Sequence, residues 1–258
     1  MCAARRRKRW GVAVAKVERR MRSLVLVPAS GAAWDAARSS GADALVLDLN
    51  APTTADREQG IARFAALGSG RLAGPARFVR VRGLASGTVD GDLDVVMPHR
   101  PDAIVLPDVS SGMDVQHLAA KLAVHEAQCG LADHATRLVA VVDSPRGYFG
   151  IGSLPGASHR LAAIVFDAIT FAAEAGLDPA APAVRLARAT VVIAAAAARV
   201  PALAVADAET PIAAQWTAAH TEGFAGLMLG AAADLAVAVP AIHGGRKRGP
   251  ASLEVSSS

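Results

Sequence analysis

The sequence is poor in aromatic residues and in charge. Aromatic side chains make up only 4% of the 258 residues, so a large core has to be built from aliphatic side chains and alanine. Hydrophobic residues reach 52% and charged residues 19%, which excludes the fibrous and disordered classes and suits a parallel sheet covered by helices. The length fits one α/β barrel and is too short for two such domains.

Cysteine and long apolar runs are also scarce. The two cysteines, Cys2 and Cys129, are far apart, so no disulfide framework is predicted and a reducing, cytoplasmic location is expected. The most apolar run, Ala189 to Ala198, is bounded by arginines and is shorter than the ~20 residues that cross a bilayer. We therefore expect no membrane association.

Positive charge is concentrated at the two ends of the chain. The first 20 residues contain eight of the 27 basic residues, and three more follow position 245, which leaves 16 basic and 21 acidic residues between. We predict a basic, disordered leader over residues 1–22, one domain over 23–243 and a disordered tail over 244–258, with no nucleic-acid partner. Translation could start at Met1 or at Met21, and the sequence leaves this open.

Several motifs that carry chemistry are missing. The seven histidines include no His-Glu-x-x-His pair, which argues against a zinc site. No Gly-x-Gly-x-x-Gly follows a strand-like run, so nucleotide binding by that motif is not predicted. Ser144 stands in Asp-Ser-Pro-Arg rather than in Gly-x-Ser-x-Gly, which argues against a serine hydrolase.

Eight short aliphatic runs recur along the chain, with helix-length stretches between most of them. Because they are continuously apolar rather than alternating, they are typical of strands buried on both faces of a parallel sheet. Eight such units predict a single (β/α)8 barrel. The predicted strands are Ser23–Val27, Ala44–Asp48, Phe78–Val81, Ala103–Leu106, Leu138–Asp143, Leu161–Phe166, Ala202–Ala206 and Phe224–Met228.

The intervening helices are visible except at the third and fifth crossovers, where the signal is weak. Asp114 and Thr210 are predicted to cap the amino ends of their helices, and Gly41 and Gly130 to follow the carboxyl ends of theirs. The predicted helices are Ala32–Ser40, Ala55–Leu67, Val115–Gln128, Ala183–Arg199, Pro211–Thr221 and Gly230–Val239.

Polar residues follow several of the predicted strands. Parallel barrels carry their chemistry at the carboxyl ends of their strands, so these residues are candidates for a site. Each one singly is better explained as a cap of the following turn, but their convergence on one rim favours a shared function. The residues are Asp48, Arg80, Arg82, Asp108, Asp143, Arg146, Asp167 and Thr170.

Five segments that contain these residues resemble, in order, motifs of the citrate lyase β-subunit-like branch of the HpcH/HpaI aldolase/citrate lyase family. The resemblance covers roughly Leu24 to Gly226. The segments are Gly41-Ala-Asp-Ala-Leu-Val-Leu-Asp48-Leu, Phe78-Val-Arg80-Val-Arg82-Gly, Ile104-Val-Leu-Pro107-Asp108-Val-Ser, Val142-Asp143-Ser-Pro-Arg146-Gly and Phe166-Asp-Ala-Ile-Thr170-Phe-Ala-Ala-Glu-Ala-Gly176.

The resemblance implies a TIM barrel of the phosphoenolpyruvate/pyruvate-domain-like kind. It implies that Asp48 and Arg80 are catalytic and that Arg80 binds a substrate carboxylate. Arg82, Pro107 and Asp108 are then expected to line the substrate site. Where this chain has the acid Asp108, the family motif has a lysine.

The resemblance also implies Mg²⁺, held by a glutamate of the fifth strand and an aspartate of the sixth. Here the first is shortened to Asp143 and the second is the neutral Thr170. Asp167, three residues before Thr170, is a possible substitute ligand, although a role as a turn cap is the simpler interpretation. Loss of one carboxylate weakens a Mg²⁺ site without abolishing it in principle.

Two functions stay open at this point. One is a divergent carbon–carbon lyase or aldolase that acts on a hydroxy acid or its coenzyme A thioester, with Mg²⁺ stabilising an enolate. The alternative is a catalytically impaired barrel that binds an acyl thioester and serves as a structural or regulatory subunit. In both cases the resemblance implies a homo-oligomer.

Overall fold

Eight parallel strands close into a barrel in which each strand pairs with its neighbours in the sequence. The computed structural model describes residues 21–29, 33–51, 53–68, 74–230 and 233–244. The ring closes where Ser23 of the first strand pairs with Leu227 of the last. The strands are β1 Ser23–Pro28, β2 Ala44–Asp48, β3 Ala76–Arg80, β4 Ala103–Leu106, β5 Arg137–Val142, β6 Leu161–Phe166, β7 Ala202–Val205 and β8 Gly226–Gly230.

The predicted (β/α)8 barrel is therefore confirmed, and most strand positions agree within a residue or two. The last strand begins at Gly226 rather than at Phe224. A Cβ at position 226 would lie 2.5 Å from the carbonyl oxygens of Met21 and Arg22, so the closing strand passes this segment where only glycine fits.

Helices connect the strands and cover the outside of the barrel. The third and fifth crossovers contain the short α3 and α5, which explains why their sequence signal is weak. Within the described part of the chain the helices are α1 Ala33–Ser39, α2 Thr54–Ala66, α3 Val89–Val96, α4 Gly112–Gln128, α5 Pro145–Gly150, α6 Ala168–Ala175, α7 Pro182–Ala198, α8 Ile212–Glu222 and α9 Leu235–Gly244.

Two predicted amino-terminal caps are wrong. Helix α4 starts three residues earlier than expected, with Ser111 as its N-cap. Asp114 is the third helical residue, and its carboxylate accepts a hydrogen bond from the backbone N–H of Ser111 in a capping box. Pro211 occupies the N-cap of α8 instead of Thr210. Gly41 and Gly130 have φ angles of 76° and 61°, the left-handed conformation that their predicted places after α1 and α4 require.

Side chains fill the barrel in two separate apolar clusters. The smaller cluster occupies the interior and takes alternate residues of the strands, among them Val46, Phe78, Val105 and Val141. The larger one packs the outward-facing strand residues against the helices. The interior is therefore a packed core rather than a channel, and polar chemistry is confined to its ends.

A buried ion pair ties the end of α4 to the start of β6. Arg160 and Glu126 are 2% and 1% exposed and make two hydrogen bonds of 2.7 and 2.8 Å. Arg160 also donates to the carbonyl of Thr136, just before β5. This pair lies at the amino ends of the strands, opposite the end where the candidate residues follow the strands.

The predicted leader lies almost entirely outside the described residues, as does the tail after position 244, so both remain predictions. Among the helices that the structure describes, none combines the length and the apolar character that crossing a membrane requires.

Candidate active site

Every second side chain of a strand faces the interior of the barrel, and this alternation continues to the rim at the carboxyl ends of the strands. On β2, β3 and β5 the inward series runs through Val46, Phe78 and Val141, and two residues later each series reaches a charged side chain. Because side chains of a strand alternate between its two faces, these residues point into the mouth of the barrel. They are Asp48, Arg80 and Asp143.

Asp48 and Arg80 form an ion pair across neighbouring strands. They are register partners of β2 and β3, and Arg80 Nη1 lies 3.5 Å from Asp48 Oδ2. Their side chains are 29% and 18% exposed for Arg80 and Asp48, so both remain accessible to a small molecule. The two residues predicted to be catalytic are thus adjacent at the mouth.

Asp143 is a buried acid at this rim, with 3% of its surface exposed. Its Oδ2 accepts a hydrogen bond of 3.2 Å from the backbone N–H of Asp108, whereas its buried Oδ1 has no partner. Burial away from water raises the pKa of Asp143 from 3.8 to about 6. The carboxylates of Asp108 and Asp167 contribute to this rise in pKa, whereas the Asp108 N–H and Arg80 oppose it.

Asp108 follows β4, after the buried Pro107, and is exposed at the rim. Its φ angle is 55°, a left-handed conformation that aspartate tolerates better than most residues. A Cβ on Gly83 would collide with the Asp108 carboxylate, so the absence of a side chain there makes room for it. Pro107 and Asp108 therefore lie next to Asp143 and the loop after β3.

Asp167 is the N-cap of α6, as the simpler interpretation predicts. Its Oδ1 accepts a hydrogen bond of 3.0 Å from the backbone N–H of Thr170, and its Oδ2 accepts one of 2.9 Å from the Thr170 hydroxyl. Thr170 therefore supports the Asp167 carboxylate and brings no negative charge of its own. The negative charge that follows the sixth strand is carried by Asp167, within electrostatic range of Asp143.

Arg82 has a different partner from Arg80. Its guanidinium binds the fully buried carboxylate of Asp92 on α3, with an Nη2 to Oδ1 distance of 2.9 Å, and its backbone N–H donates to the same side chain. Arg57 of α2 binds Asp92 as well, at 2.6 Å. Arg82 thus anchors the loop after β3 and, among the described residues, is not joined to the Asp48–Arg80 pair by a hydrogen bond or an ion pair.

Two acids at this end of the barrel, Asp92 and Asp207, are not among the residues predicted from the sequence. Asp92 carries no sequence signal, because its two arginine partners come from separate elements. Asp207 carries one: it stands two residues beyond the inward-facing Val205 of β7, in the same alternation as Asp143. Its Oδ1 accepts hydrogen bonds from the backbone N–H groups of Glu209 and Thr210, so it holds the loop before α8.

The predicted Mg²⁺ can be compared with the side chains present. Asp143 offers a buried oxygen without a partner, and Asp167 offers a second carboxylate nearby. Among the described residues no group of three or more acidic, histidine or cysteine side chains is arranged to hold a metal. The two carboxylates fit Mg²⁺ of the kind that retains several waters, with Thr170 outside the ligand set.

Comparisons with known proteins relate the chain to lyases. It is 31% identical over 154 residues to the citrate lyase subunit beta of Escherichia coli strain K12, and equally to that of Escherichia coli O6:H1. The match covers 58% of this chain and 51% of the relative, so the chain spans about half the length of the curated relatives it matches.

Solved structures share the fold at lower identity. RipC from Yersinia pestis superposes with a TM-score of 0.69 at 23% identity, covering 89% of this chain and 95% of RipC. CitE from Mycobacterium tuberculosis in complex with magnesium, acetoacetate and coenzyme A gives 0.67 at 18%, covering 87% and 81%. Haloferax volcanii malate synthase gives 0.73 at 15%, covering 90% and 77%.

The sequence description of the HpcH/HpaI aldolase/citrate lyase family matches residues 22–233, which is most of the chain and contains every strand of the barrel. With the barrel and the strand-end motifs in the order that the sequence indicates, the chain belongs to the HpcH/HpaI aldolase/citrate lyase family.

Proposed function

We propose that this chain is a divergent carbon–carbon lyase that acts on a hydroxy acid or its coenzyme A thioester. The observation that carries the proposal is Asp143: a carboxyl group 3% exposed, with one buried oxygen lacking a partner, at the rim where Arg80 and Asp48 form an accessible pair. An unpaired buried carboxylate costs stability, which is more easily explained if a ligand or cation completes it.

Each side chain has a role in this proposal. Arg80 holds the substrate carboxylate, because its guanidinium presents fixed donors to two oxygens. Asp48, paired with Arg80, accepts the proton of the substrate hydroxyl. The carbon–carbon bond beside that hydroxyl then breaks, its electron pair becomes the enolate of one product, and the hydroxyl carbon becomes the carbonyl of the other. The enolate finally takes a proton from solvent.

Asp143 and Asp167 would hold Mg²⁺ in this site. When bound, the ion would supply positive charge to stabilise the enolate oxygen. Two relatives of known structure support this part of the proposal, since CitE of M. tuberculosis and the H. volcanii malate synthase were both solved with magnesium. Both are less than 25% identical to this chain, so Mg²⁺ binding has to be tested with variants of this chain's own residues.

The alternative function is a barrel that binds an acyl thioester without cleaving it and acts as a structural or regulatory subunit. One observation favours it: Thr170 supplies a neutral hydroxyl, and that hydroxyl takes an oxygen of Asp167. A metal at Asp167 would have to use the remaining lone pairs of a carboxylate that already caps a helix.

Calorimetric titration with Mg²⁺ separates the two functions. The lyase predicts binding to the wild type that is lost in Asp143→Ala and retained in Glu174→Gln, which removes an exposed carboxylate of α6. It also predicts Mg²⁺-dependent release of a carbonyl product from a panel of hydroxy acids and their thioesters. Absence of Mg²⁺ binding, even with an acyl-coenzyme A present, would support the non-catalytic barrel instead.

A further inference from the structure

The side chain of Asp108 is held in a defined place at the mouth. Its backbone N–H donates to Asp143 Oδ2 at 3.2 Å, and its left-handed φ of 55° turns the chain at this point. On the other side its Cβ and Cγ lie 3.3 Å from the position that a Cβ of Gly83 would occupy. Two loops, after β3 and after β4, thus fix the direction of this carboxylate.

Two of the acids at the mouth already have partners. Asp48 pairs with Arg80, and both oxygens of Asp167 accept hydrogen bonds from Thr170. The carboxylate of Asp108 is exposed and accepts no hydrogen bond from the residues that the structure describes. It therefore presents free acceptor oxygens beside the buried Oδ1 of Asp143, which also lacks a partner.

We propose that Asp108 determines the substrate class: the site takes a hydroxy monocarboxylate whose far end carries a hydrogen-bond donor, and it rejects a second carboxylate. The inference rests on the proposed function, in which Arg80 holds the first carboxylate. An ionised carboxylate only accepts hydrogen bonds, so a hydroxyl or ammonium group satisfies Asp108. A second carboxylate would be repelled by Asp108, and Arg82, which is engaged by Asp92, does not offset that repulsion.

Two probes of equal carbon skeleton test this directly. Malate and 2,4-dihydroxybutanoate differ only at the far end, which is a carboxylate in the first and a hydroxymethyl group in the second. Their affinities are measured by calorimetry with the full chain in a chelating buffer, so that no cation masks the charge of Asp108. The wild type is expected to prefer 2,4-dihydroxybutanoate by about tenfold or more, since one repulsive contact near a protein surface readily exceeds the energy of one decade.

The variants distinguish the effect of the Asp108 charge on affinity from any effect of Asp108 on the fold. Asp108→Asn keeps a side chain that tolerates the left-handed backbone, and it should bring the affinity ratio close to one. Asp108→Lys should reverse the ratio, whereas Glu174→Lys, the same charge change on the exposed face of α6, should leave it unaltered. Circular dichroism shows whether each variant is folded, and the asparagine variant alone decides the question if the lysine variant is not.

The outcomes also distinguish this inference from the proposed function. Tighter binding of malate by the wild type, or an unchanged ratio in folded Asp108→Asn, overturns the role of Asp108 and leaves the lyase intact. Failure of both probes to bind the wild type, with or without Mg²⁺, overturns the lyase and this inference together.

Discussion

The buried carboxyl of Asp143 should make the stability of the protein depend on pH in a way that Asp143→Asn removes. Burial raises the pKa of Asp143 from 3.8 to about 6, so the folded state binds the proton more tightly than the unfolded state does. Its contribution to the free energy of unfolding is therefore fully present below about pH 4, and it is lost as the pH rises through about 6.

The size of the effect follows from the two pKa values. Each tenfold difference in proton affinity corresponds to about 1.4 kcal/mol, so the rise from 3.8 to about 6 amounts to a loss on the order of 3 kcal/mol at pH 8. Asp143 is 3% exposed, so solvent screening removes little of this. The asparagine side chain can still accept the hydrogen bond from the Asp108 N–H, and it carries no charge at any pH.

Urea unfolding between about pH 4.5 and pH 8 in a chelating buffer measures the difference between wild type and Asp143→Asn. The free energy of unfolding of the wild type relative to the variant should fall by about 2 kcal/mol as the pH rises over this range, because the other titrating groups are common to both proteins. Glu174→Gln, which removes an exposed carboxylate, should follow the wild type within a few tenths of a kcal/mol. Parallel curves for wild type and Asp143→Asn would refute the assignment of a charge penalty to this site.

Three further substitutions distinguish a residue that binds ligand at the mouth of the barrel from residues that stabilise the fold. Arg80→Ala should lower the affinity for a hydroxy carboxylate by about a hundredfold, at a cost of no more than about 1 kcal/mol in stability, because its ion pair with Asp48 is partly exposed; a large loss of stability with unchanged affinity would assign Arg80 a structural role. Arg160→Met should cost about 3–5 kcal/mol in urea unfolding, because it leaves the Glu126 carboxylate buried without its cation, and it should not alter ligand affinity at the opposite end of the barrel; an unaltered midpoint would contradict this. Asp92→Ala should destabilise less than Arg160→Met, because the two arginines that it releases are partly exposed and regain contact with water, and amide hydrogen exchange should rise in the loop after β3.

The barrel was predictable from the sequence because its strands are buried on both faces. A run such as Leu161–Phe166 is fully buried, so every position is apolar and the whole strand is visible at once. The start of β8 was less predictable. Phe224 is as apolar as the strand that follows it, but pairing starts at Gly226, where the chain crosses the segment before β1. That crossing is a contact between the two ends of the domain, and no local pattern encodes it.

The same distinction applies to the candidate site. Alternation along a strand is a local property, so it predicts that Asp48, Arg80 and Asp143 share the mouth, and the structure brings them there. It also predicts Arg82, but Arg82 lies two residues beyond the end of β3, and a contact outside the strand turns its side chain away. The nearest buried carboxylate, Asp92, then determines where Arg82 points, and its position depends on how α3 packs.

Residue type alone also fails to show which oxygen atoms are free to bind a ligand. The Asp167 and Thr170 spacing is a local capping pattern, and it correctly predicts a carboxylate engaged by its own helix. The unpaired Oδ1 of Asp143 cannot be predicted this way, because it depends on every neighbouring strand failing to supply a donor. Asp167 accepts its hydrogen bonds from its own helix, whereas no described residue donates one to Asp143 Oδ1, so the two acids are not equivalent. For that reason Asp143, rather than Asp167, is expected to dominate cation binding, and its removal should cost more affinity than the removal of Asp167.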